Sequence, residues 1–287
     1  MSPQEQALSA DEFWRAAERF NDQAAALGYP DIRNYYWYHT VEMPGGLITP
    51  GQYDFREALP AFPFPRDMRG MRVLDIGSAT GFFAFEFARR GAHVVSVELP
   101  SLYALDRFPG QDIVQILDKI RKMMGPRAGE TGGAQYTPEE MYFYLLEGPF
   151  EFCRRQIGAS IERCYSTVYD LTEDRVGGPA DLVFMGDILL HTLNPLQALA
   201  AAAPLARKTL ILSQVIPEAP DGEPAMAYVG GDSLASDEVS WWLPNKPCLI
   251  ALLKKLGFVS VTDAGYHTGA LRPSGYVYRR SILKAQK

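Results

Sequence analysis

The chain has 287 residues, of which 47% are hydrophobic and 22% are charged. This composition is ordinary for a globular protein, so bulk disorder is excluded. The chain carries 28 lysines and arginines against 34 aspartates and glutamates, which gives a formal net charge of −6 and disfavours a globally basic nucleic-acid-binding protein.

Neither a membrane span nor a metal site is predicted. The longest apolar runs are far shorter than the roughly 18 residues that cross a bilayer, and the first residues do not resemble a secretory signal. Cys153, Cys164 and Cys248 show no C-x-x-C spacing, so free thiols in a reducing compartment are expected. The four histidines are scattered along the chain. We therefore expect a cytoplasmic protein without a metal.

Residues 1–68 predict a helical cap that precedes the main sheet. Ser9 and Glu12 form an S-x-x-E capping box, and the apolar residues that follow recur every three or four positions, as in an amphipathic helix. A dense aromatic stretch, Tyr35–Val41, comes next. Aromatic residues are concentrated there and in two later segments. We expect them either to line a substrate pocket or to attach the cap to the core. The candidate substrate residues are Tyr36, Trp37, His39 and Trp241.

The next segment predicts a βαβ unit. Met71–Ile76 is a short apolar run between glycines, Phe82–Arg90 is a candidate helix, and His93–Glu98 is rich in β-branched residues. Two strands joined through a helix lie parallel in one sheet with a right-handed crossover.

Residues 101–160, here called the insertion, interrupt this alternation. A helix is predicted over Gln111–Met124, and Thr137 with Glu140 forms a second capping box that starts a helix running to about Gln156. We expect the insertion to form a lid over the site or the surface of a homodimer.

The alternation resumes after the insertion. Asn194 and Asn245 are predicted to cap helices that run to about residues 203 and 256, and residues 215–240 are predicted as loop. The predicted strands span 161–167, 181–186, 209–214, 258–262 and 276–283, the last two as an antiparallel pair.

The segment that carries the chemistry is the glycine turn between the first strand and its helix. Dinucleotide-binding proteins have G-x-G-x-x-G at this point, but counting from Gly77 the second and third glycines are replaced by Ala79 and Phe82. The phenylalanine would obstruct a pyrophosphate, which disfavours a nicotinamide-dependent oxidoreductase. The loop suits a cofactor with an amino-acid moiety, whose cationic amino group Asp75 would hold directly or through water.

The second strand ends in Glu98, about twenty residues past the turn, where a carboxylate accepts both hydroxyls of a ribose. With the loop Asp75–Gly81, this arrangement resembles the class I S-adenosylmethionine-dependent methyltransferases. The segments Tyr38–Gly51 and Val168–Leu171 resemble, more narrowly, bacterial relatives of the tRNA wobble-uridine carboxymethyltransferases.

The resemblance implies an α/β fold with a doubly wound, seven-stranded, mostly parallel Rossmann-like sheet and an antiparallel C-terminal hairpin. The methyltransferase domain would span residues 69–287, with the insertion inside it. S-adenosylmethionine is the implied cofactor. Its implied binding residues are Asp75, Gly77, Ser78, Gly81 and Phe82 beside the methionine part, Glu98 at the ribose, Thr167, Val168 and Tyr169 at the adenine, and Asp187 near the amine or the acceptor.

His191, after the fourth predicted strand, is the candidate general base, since the intrinsic pKa of histidine lies near neutrality. The alternative is a histidine that only packs or forms a hydrogen bond. We expect methyl transfer to an oxygen or nitrogen of a small molecule, in specialised biosynthesis. The alternatives are a tRNA-modifying transferase and a non-catalytic cofactor-binding relative. Five arginines form a basic cluster that is either solvated surface or an RNA footprint: Arg66, Arg69, Arg72, Arg89 and Arg90.

Overall fold

The computed structural model describes residues 10–124, 136–217, 222–234 and 239–287. Ser9, and with it the first predicted capping box, lies outside these residues. Helix α1 spans Ala10–Ala26 and buries the apolar stripe that the sequence predicts, with Phe13 and Phe20 facing the core. Leu27, which continues that stripe, is exposed just past the helix.

Seven strands form the main sheet, in the order β3-β2-β1-β4-β5-β9-β8. The first five lie parallel, and β9 runs antiparallel to both β5 and β8. The strands in chain order are β1 Arg72–Ile76, β2 His93–Glu98, β3 Ile161–Tyr165, β4 Ala180–Gly186, β5 Ala206–Gln214, β6 Met226–Tyr228, β7 Trp242–Pro244, β8 Ser260–Leu271 and β9 Tyr276–Gln286. This architecture confirms the predicted sheet and its C-terminal hairpin.

Helices cover both faces of the sheet. They are α2 Phe82–Arg89, α3 Ile113–Met124, α4 Pro138–Tyr142, α5 Gly148–Ile157, α6 Glu173–Val176, α7 Pro195–Ala202 and α8 Lys246–Lys255. The caps form as predicted, because the side chains of Asn194 and Asn245 each accept a backbone N–H in the first turn, and Thr137 forms its capping box. The single helix predicted after Thr137 is divided by a π-turn, Phe143–Glu147, between α4 and α5.

Two predictions about strands were wrong in extent. Within the predicted loop 215–240, Met226–Tyr228 pairs with β7 in a separate two-stranded sheet. The C-terminal strands are also longer than predicted, since β8 and β9 pair continuously over residues 260–286 with a register shift near Gly265. In both cases the partner strand, rather than a local pattern, decides where the strand forms.

Alternate residues of each strand face opposite layers of the core. Leu74 and Ile76 pack with α7 and α8 on one side, whereas Val73 and Phe184 pack with α2 and the cap on the other. Asp75 follows the same alternation and lies on the side of α2 and the cap.

In the described part of the chain, no helix is both long enough and apolar enough to cross a membrane. All three cysteines are free thiols. The described residues include no group of three His, Cys, Asp or Glu side chains placed to hold a metal.

Candidate active site

A cavity of about 330 Å³ opens at the carboxyl ends of β1, β2 and β4. In parallel α/β sheets, this edge is where ligands bind. The cap contributes Tyr38 and Phe55 to the lining, and the insertion contributes Ile116 and Leu145. The insertion thus covers the cavity.

The glycine turn is tied to the neighbouring strand. The amides of Gly77 and Ser78 both donate to the carbonyl of Val97, at 3.0 and 3.2 Å. Gly77 has a φ of +73°, and a Cβ there would meet the Ile188 side chain at 2.7 Å. Ala79 takes the left-handed conformation without being glycine, with a φ of +47°. The turn therefore depends on Gly77 for its left-handed conformation, and a Cβ there would also displace the end of the Ile188 side chain.

Asp75 lines the cavity from the end of β1 and is only 2% exposed. Its Oδ2 has no hydrogen-bond partner among the described residues. Burial raises the pKa of this carboxyl to about 7, with Arg163 acting against the rise and Glu98 adding to it. A buried acceptor without a donor is costly, so this position favours a ligand that brings a cationic donor.

Glu98 lines the same cavity from the end of β2. Its Oε2 accepts the Ala79 amide at 2.7 Å, and its Oε1 accepts the Leu99 amide at 2.9 Å. Because a carboxylate offers about four acceptor positions, two hydroxyls can still bind to it.

The segment after β3 forms another side of the cavity through Thr167, Val168 and Tyr169. The Tyr169 hydroxyl donates to Asp106 of the insertion and accepts the Asn194 amide at 3.2 Å. These bonds fix the insertion against the segment that the resemblance assigns to adenine.

His191 lines the cavity just beyond β4. Its Nδ1 lies 2.6 Å from the carbonyl oxygen of Val239. A carbonyl only accepts, so neutral His191 carries its hydrogen on Nδ1 and keeps a lone pair on Nε2. This is the tautomer that a general base needs.

His39 reaches the cavity from the cap and sits over the start of α2, where its Nδ1 accepts the Phe82 amide at 3.4 Å. Burial lowers the pKa of its imidazole to about 3. His39 is therefore neutral at working pH and is a poor proton acceptor.

Asp187 also lines the cavity, but its carboxylate is already bound. Its Oδ2 pairs with the guanidinium of Arg280 on β9, and its Oδ1 accepts the Val215 amide at 3.3 Å. The residue has a φ of +50°, an unusual conformation for a residue other than glycine. This arrangement makes Asp187 a fixed part of the wall rather than an open anchor for an amine.

Several candidate residues lie elsewhere. Gly81 ends the loop as the cap of α2, and Phe82 is the first residue of that helix, with its ring buried against Phe55 and Phe83. Trp37 is buried among the rings of Phe20 and Phe152. The remaining two are Tyr36, which packs under the insertion and donates to Gln52, and Trp241, which is buried near Phe108. In this part of the molecule, the aromatic residues mainly attach the cap to the core.

Sequence reasoning missed Arg163 and Asp106. Arg163 lies on β3 with a side chain only 7% exposed, beneath the glycine loop. Its signal was an arginine in the middle of a short strand, where an inward-facing charge is unusual. Asp106 gave no local signal, because its partners Tyr169 and Leu193 lie far along the chain.

The predicted basic cluster is mostly engaged by nearby acceptors. Arg69 pairs with Asp67, and Arg90 pairs with Glu86. Arg72 and Arg89 donate to backbone carbonyls. This pattern favours an ordinary solvated surface.

Comparisons with known proteins agree with the fold. No protein-family model matches the chain. A stretch of 69 residues, 23% of this chain, is 39% identical to the magnesium-protoporphyrin O-methyltransferase of Rhodobacter capsulatus, and it spans 31% of that enzyme's length.

Among solved structures, the N-terminal domain of EvdMO1, determined in the presence of SAH and D-fucose, is similar with a TM-score of 0.50 and 17% identity, covering 100% of this chain and 99% of that one. The structure of EvdMO1 itself gives a TM-score of 0.51 and 20% identity over 91% of this chain and 47% of that one. The strand order, with β9 inserted between β5 and β8, and these likenesses show that the chain has the Rossmann-like fold of class I S-adenosylmethionine-dependent methyltransferases.

Proposed function

We propose that the protein transfers a methyl group from S-adenosylmethionine to an oxygen or nitrogen of a largely apolar small molecule. One observation carries the proposal: the buried carboxyl of Asp75, whose Oδ2 has no hydrogen-bond partner in the described part of the chain, and the carboxylate of Glu98 line one cavity beside the glycine loop. This pairing offers one acceptor to an ammonium group and another to a ribose.

The residues fit the cofactor. Asp75 would hold its amino group, Glu98 its ribose hydroxyls, and Val168 with Tyr169 would flank its adenine. Gly77 and Ser78, between the two carboxylates, would border the methionine part. When bound, the cofactor supplies an electrophilic methyl group on a sulfonium.

The chain's own residues contribute position and a proton acceptor. His191 Nε2 would take the proton from the acceptor's O–H or N–H, while the carbonyl of Val239 holds the ring and stabilises the charge that forms. Phe55, Phe83 and Phe184 line the cavity and would exclude water from it. Holding the reactants in line is most of what such a transfer requires.

A small acceptor is favoured over RNA because the insertion covers the cavity and most arginines of the predicted basic cluster are engaged by carboxylates or backbone carbonyls. The names of the similar proteins point the same way, since one acts on a porphyrin and another was studied with a sugar. A role in specialised biosynthesis extends this proposal. A tRNA substrate, as the narrower resemblance suggests, is the alternative.

The test begins with calorimetry of S-adenosylhomocysteine binding. Asp75→Asn and Glu98→Gln should each weaken binding by about tenfold or more, because each loses a charge-assisted hydrogen bond. Glu162→Gln, an exposed carboxylate on β3, is the matched control and should bind as the wild type does. Absence of binding to the wild-type protein would refute the proposal.

Incubation with methyl-labelled S-adenosylmethionine and a cell extract then identifies the acceptor class. Label in the small-molecule fraction supports the proposal, whereas label in tRNA supports the alternative. Binding without turnover in either fraction would indicate a non-catalytic relative.

A further inference from the structure

Three neighbouring strands place polar side chains in one row across the sheet. Asp75 on β1 is in register with Ser96 on β2, and Ser96 is in register with Arg163 on β3. Register neighbours point to the same face, so the arginine and the aspartate share the side that carries the glycine loop. Phe184 continues the row on β4 and is apolar.

The guanidinium of Arg163 is held beneath that loop by several hydrogen bonds and a ring contact. Its Nη1 donates to the hydroxyl oxygens of Ser78 and Ser96 at 2.7 and 2.8 Å, and its Nη2 donates to the carbonyl of Ala79 at 3.3 Å. The guanidinium also lies 4.1 Å from the centre of the Phe150 ring.

The partner that balances this charge comes from the insertion. Arg163 pairs with Glu147 at 2.8 Å, and the glutamate side chain is 12% exposed. Glu147 is the last residue of the π-turn, whose Leu145 and Leu146 line the cavity. It also accepts the Tyr165 hydroxyl at 2.7 Å. One ion pair therefore joins the glycine loop to the cover of the cavity.

We propose that Arg163 is a positioning residue: it holds the glycine loop in the conformation that binds the cofactor and places a cation near the Asp75 carboxyl, and Glu147 partly neutralises that cation. This inference rests on the proposed function. A buried arginine with a fork of fixed donors suits the holding role better than a lysine does.

Three groups face the Asp75 carboxyl and set its ionisation. The cation of Arg163 on β3 favours the charged form, the carboxylate of Glu98 on β2 opposes it, and the Ala84 amide of α2 stabilises it by a hydrogen bond. Burial, the largest influence, raises the pKa of Asp75 to about 7. An ammonium ligand prefers the ionised carboxylate, so its affinity should increase as pH rises through this range.

The pH midpoint of S-adenosylhomocysteine binding should shift in opposite directions in Arg163 and Glu147 variants, and this distinguishes the positioning role from simple structural support. Calorimetry of S-adenosylhomocysteine binding between pH 5.5 and 8.5, an interval about the predicted midpoint, is the measurement. Arg163→Met should move the midpoint of affinity to higher pH and weaken binding at pH 7 by about tenfold. Glu147→Gln should move the midpoint to lower pH, because the arginine's charge is then less compensated.

Two further variants complete the test. Arg163→Lys keeps the charge but loses the fork, so it should keep the wild-type midpoint with weaker affinity at every pH. Arg154→Met removes a cation that pairs with Glu151 on the outer side of α5, and it should match the wild type in both respects.

The inference can be tested even if Arg163→Met fails to fold, because Arg163→Lys and Glu147→Gln still give distinct expected results. Unchanged midpoints in the folded Arg163→Met and Glu147→Gln variants would overturn the inference while leaving the proposed function intact. If Arg163→Met does not fold, an unchanged midpoint in Glu147→Gln or wild-type affinity in Arg163→Lys would overturn it. If wild-type protein does not bind S-adenosylhomocysteine at all, the proposed function fails, and the inference fails with it.

Discussion

At the scale of single residues, the Asp75 side chain is buried, has a raised pKa, and carries an oxygen that lacks a hydrogen-bond partner among the residues the structure describes. Burial raises the pKa of this carboxyl to about 7 in the folded protein, whereas an unfolded chain releases the proton near the ordinary value of 3.8. Between these values the folded state binds more protons, so this group lowers the stability of the ligand-free protein as pH rises.

Asp75→Asn should remove this decrease in the stability of the ligand-free protein with rising pH. Relative to the variant, wild-type protein without ligand should lose on the order of 3 kcal/mol of unfolding free energy between pH 4 and pH 8. Urea unfolding of both proteins at the two pH values measures the difference, and every other titrating group cancels in it. Parallel pH profiles would show that Asp75 is ionised in the folded protein.

His191 should affect turnover and not cofactor binding. His191→Gln removes the lone pair available on Nε2, so kcat should fall by about 100-fold or more while the Kd for S-adenosylhomocysteine stays unchanged. His93→Gln, an exposed histidine on β2 that pairs with Glu162, is the control and should leave both unchanged. Wild-type turnover in the His191 variant would show that His191 is not the general base and only packs or forms a hydrogen bond.

The sequence was sufficient for the part of the candidate site that is local in the chain. The glycine turn, the aspartate before it and the glutamate ending the next strand all lie within Asp75–Glu98, and they meet at one cavity. The pairings of Arg163 with Ser78 and of Asp187 with Arg280 join residues 85 and 93 positions apart. No local pattern encodes such contacts, because strand order in the folded sheet creates them.

At the scale of elements, the starts of the capped helices were predicted more accurately than the extents of the strands. Asn194, Asn245 and Thr137 each begin a helix as predicted, since a cap is a contact within one turn. The strand β6 and the full length of the hairpin depend on distant partners, and the π-turn has no cap or periodicity that marks it. Local signals therefore fix where helices begin, and the sheet decides where strands end.

The two asparagine caps should differ in strength. Asn245 accepts the amides of Cys248 and Ala225 and donates to the carbonyl of Glu223, so it also secures the preceding loop. Asn194, an exposed residue, also caps its helix, through the Gln197 amide. Asn194→Ala should cost about 1 kcal/mol of unfolding free energy and Asn245→Ala about 2 kcal/mol. Denaturant unfolding measures both losses of unfolding free energy. Equal losses in the two variants would contradict the additional contribution of the loop that Asn245 holds.

At the scale of the whole molecule, the cap and the sheet share one core. Trp37 packs between rings from α1 and α5, although the sequence made it a candidate substrate residue. Predictions about domain boundaries, a homodimer and a cytoplasmic location stay predictions.

Trp37→Ala separates the two roles of this residue. Removing a buried indole should cost about 3–5 kcal/mol of unfolding free energy, while the Kd for S-adenosylhomocysteine measured well below the melting temperature should not change. Trp14→Ala, at an exposed indole on α1, is the control and should cost far less. A large change in Kd with little loss of unfolding free energy would show that Trp37 contributes to ligand binding.

The position of β9 has a consequence for synthesis on the ribosome. The strand β9 inserts between β5 and β8, both of which precede it in the chain, and it carries the guanidinium that neutralises Asp187. Until residues 276–286 have emerged from the exit tunnel, the nascent sheet has an open edge at β5, and Asp187 in the wall of the candidate site lacks its counter-ion. The candidate site can therefore be completed only after β9 has been synthesised, and a chain stalled before β9 would expose an unpaired strand edge to chaperones.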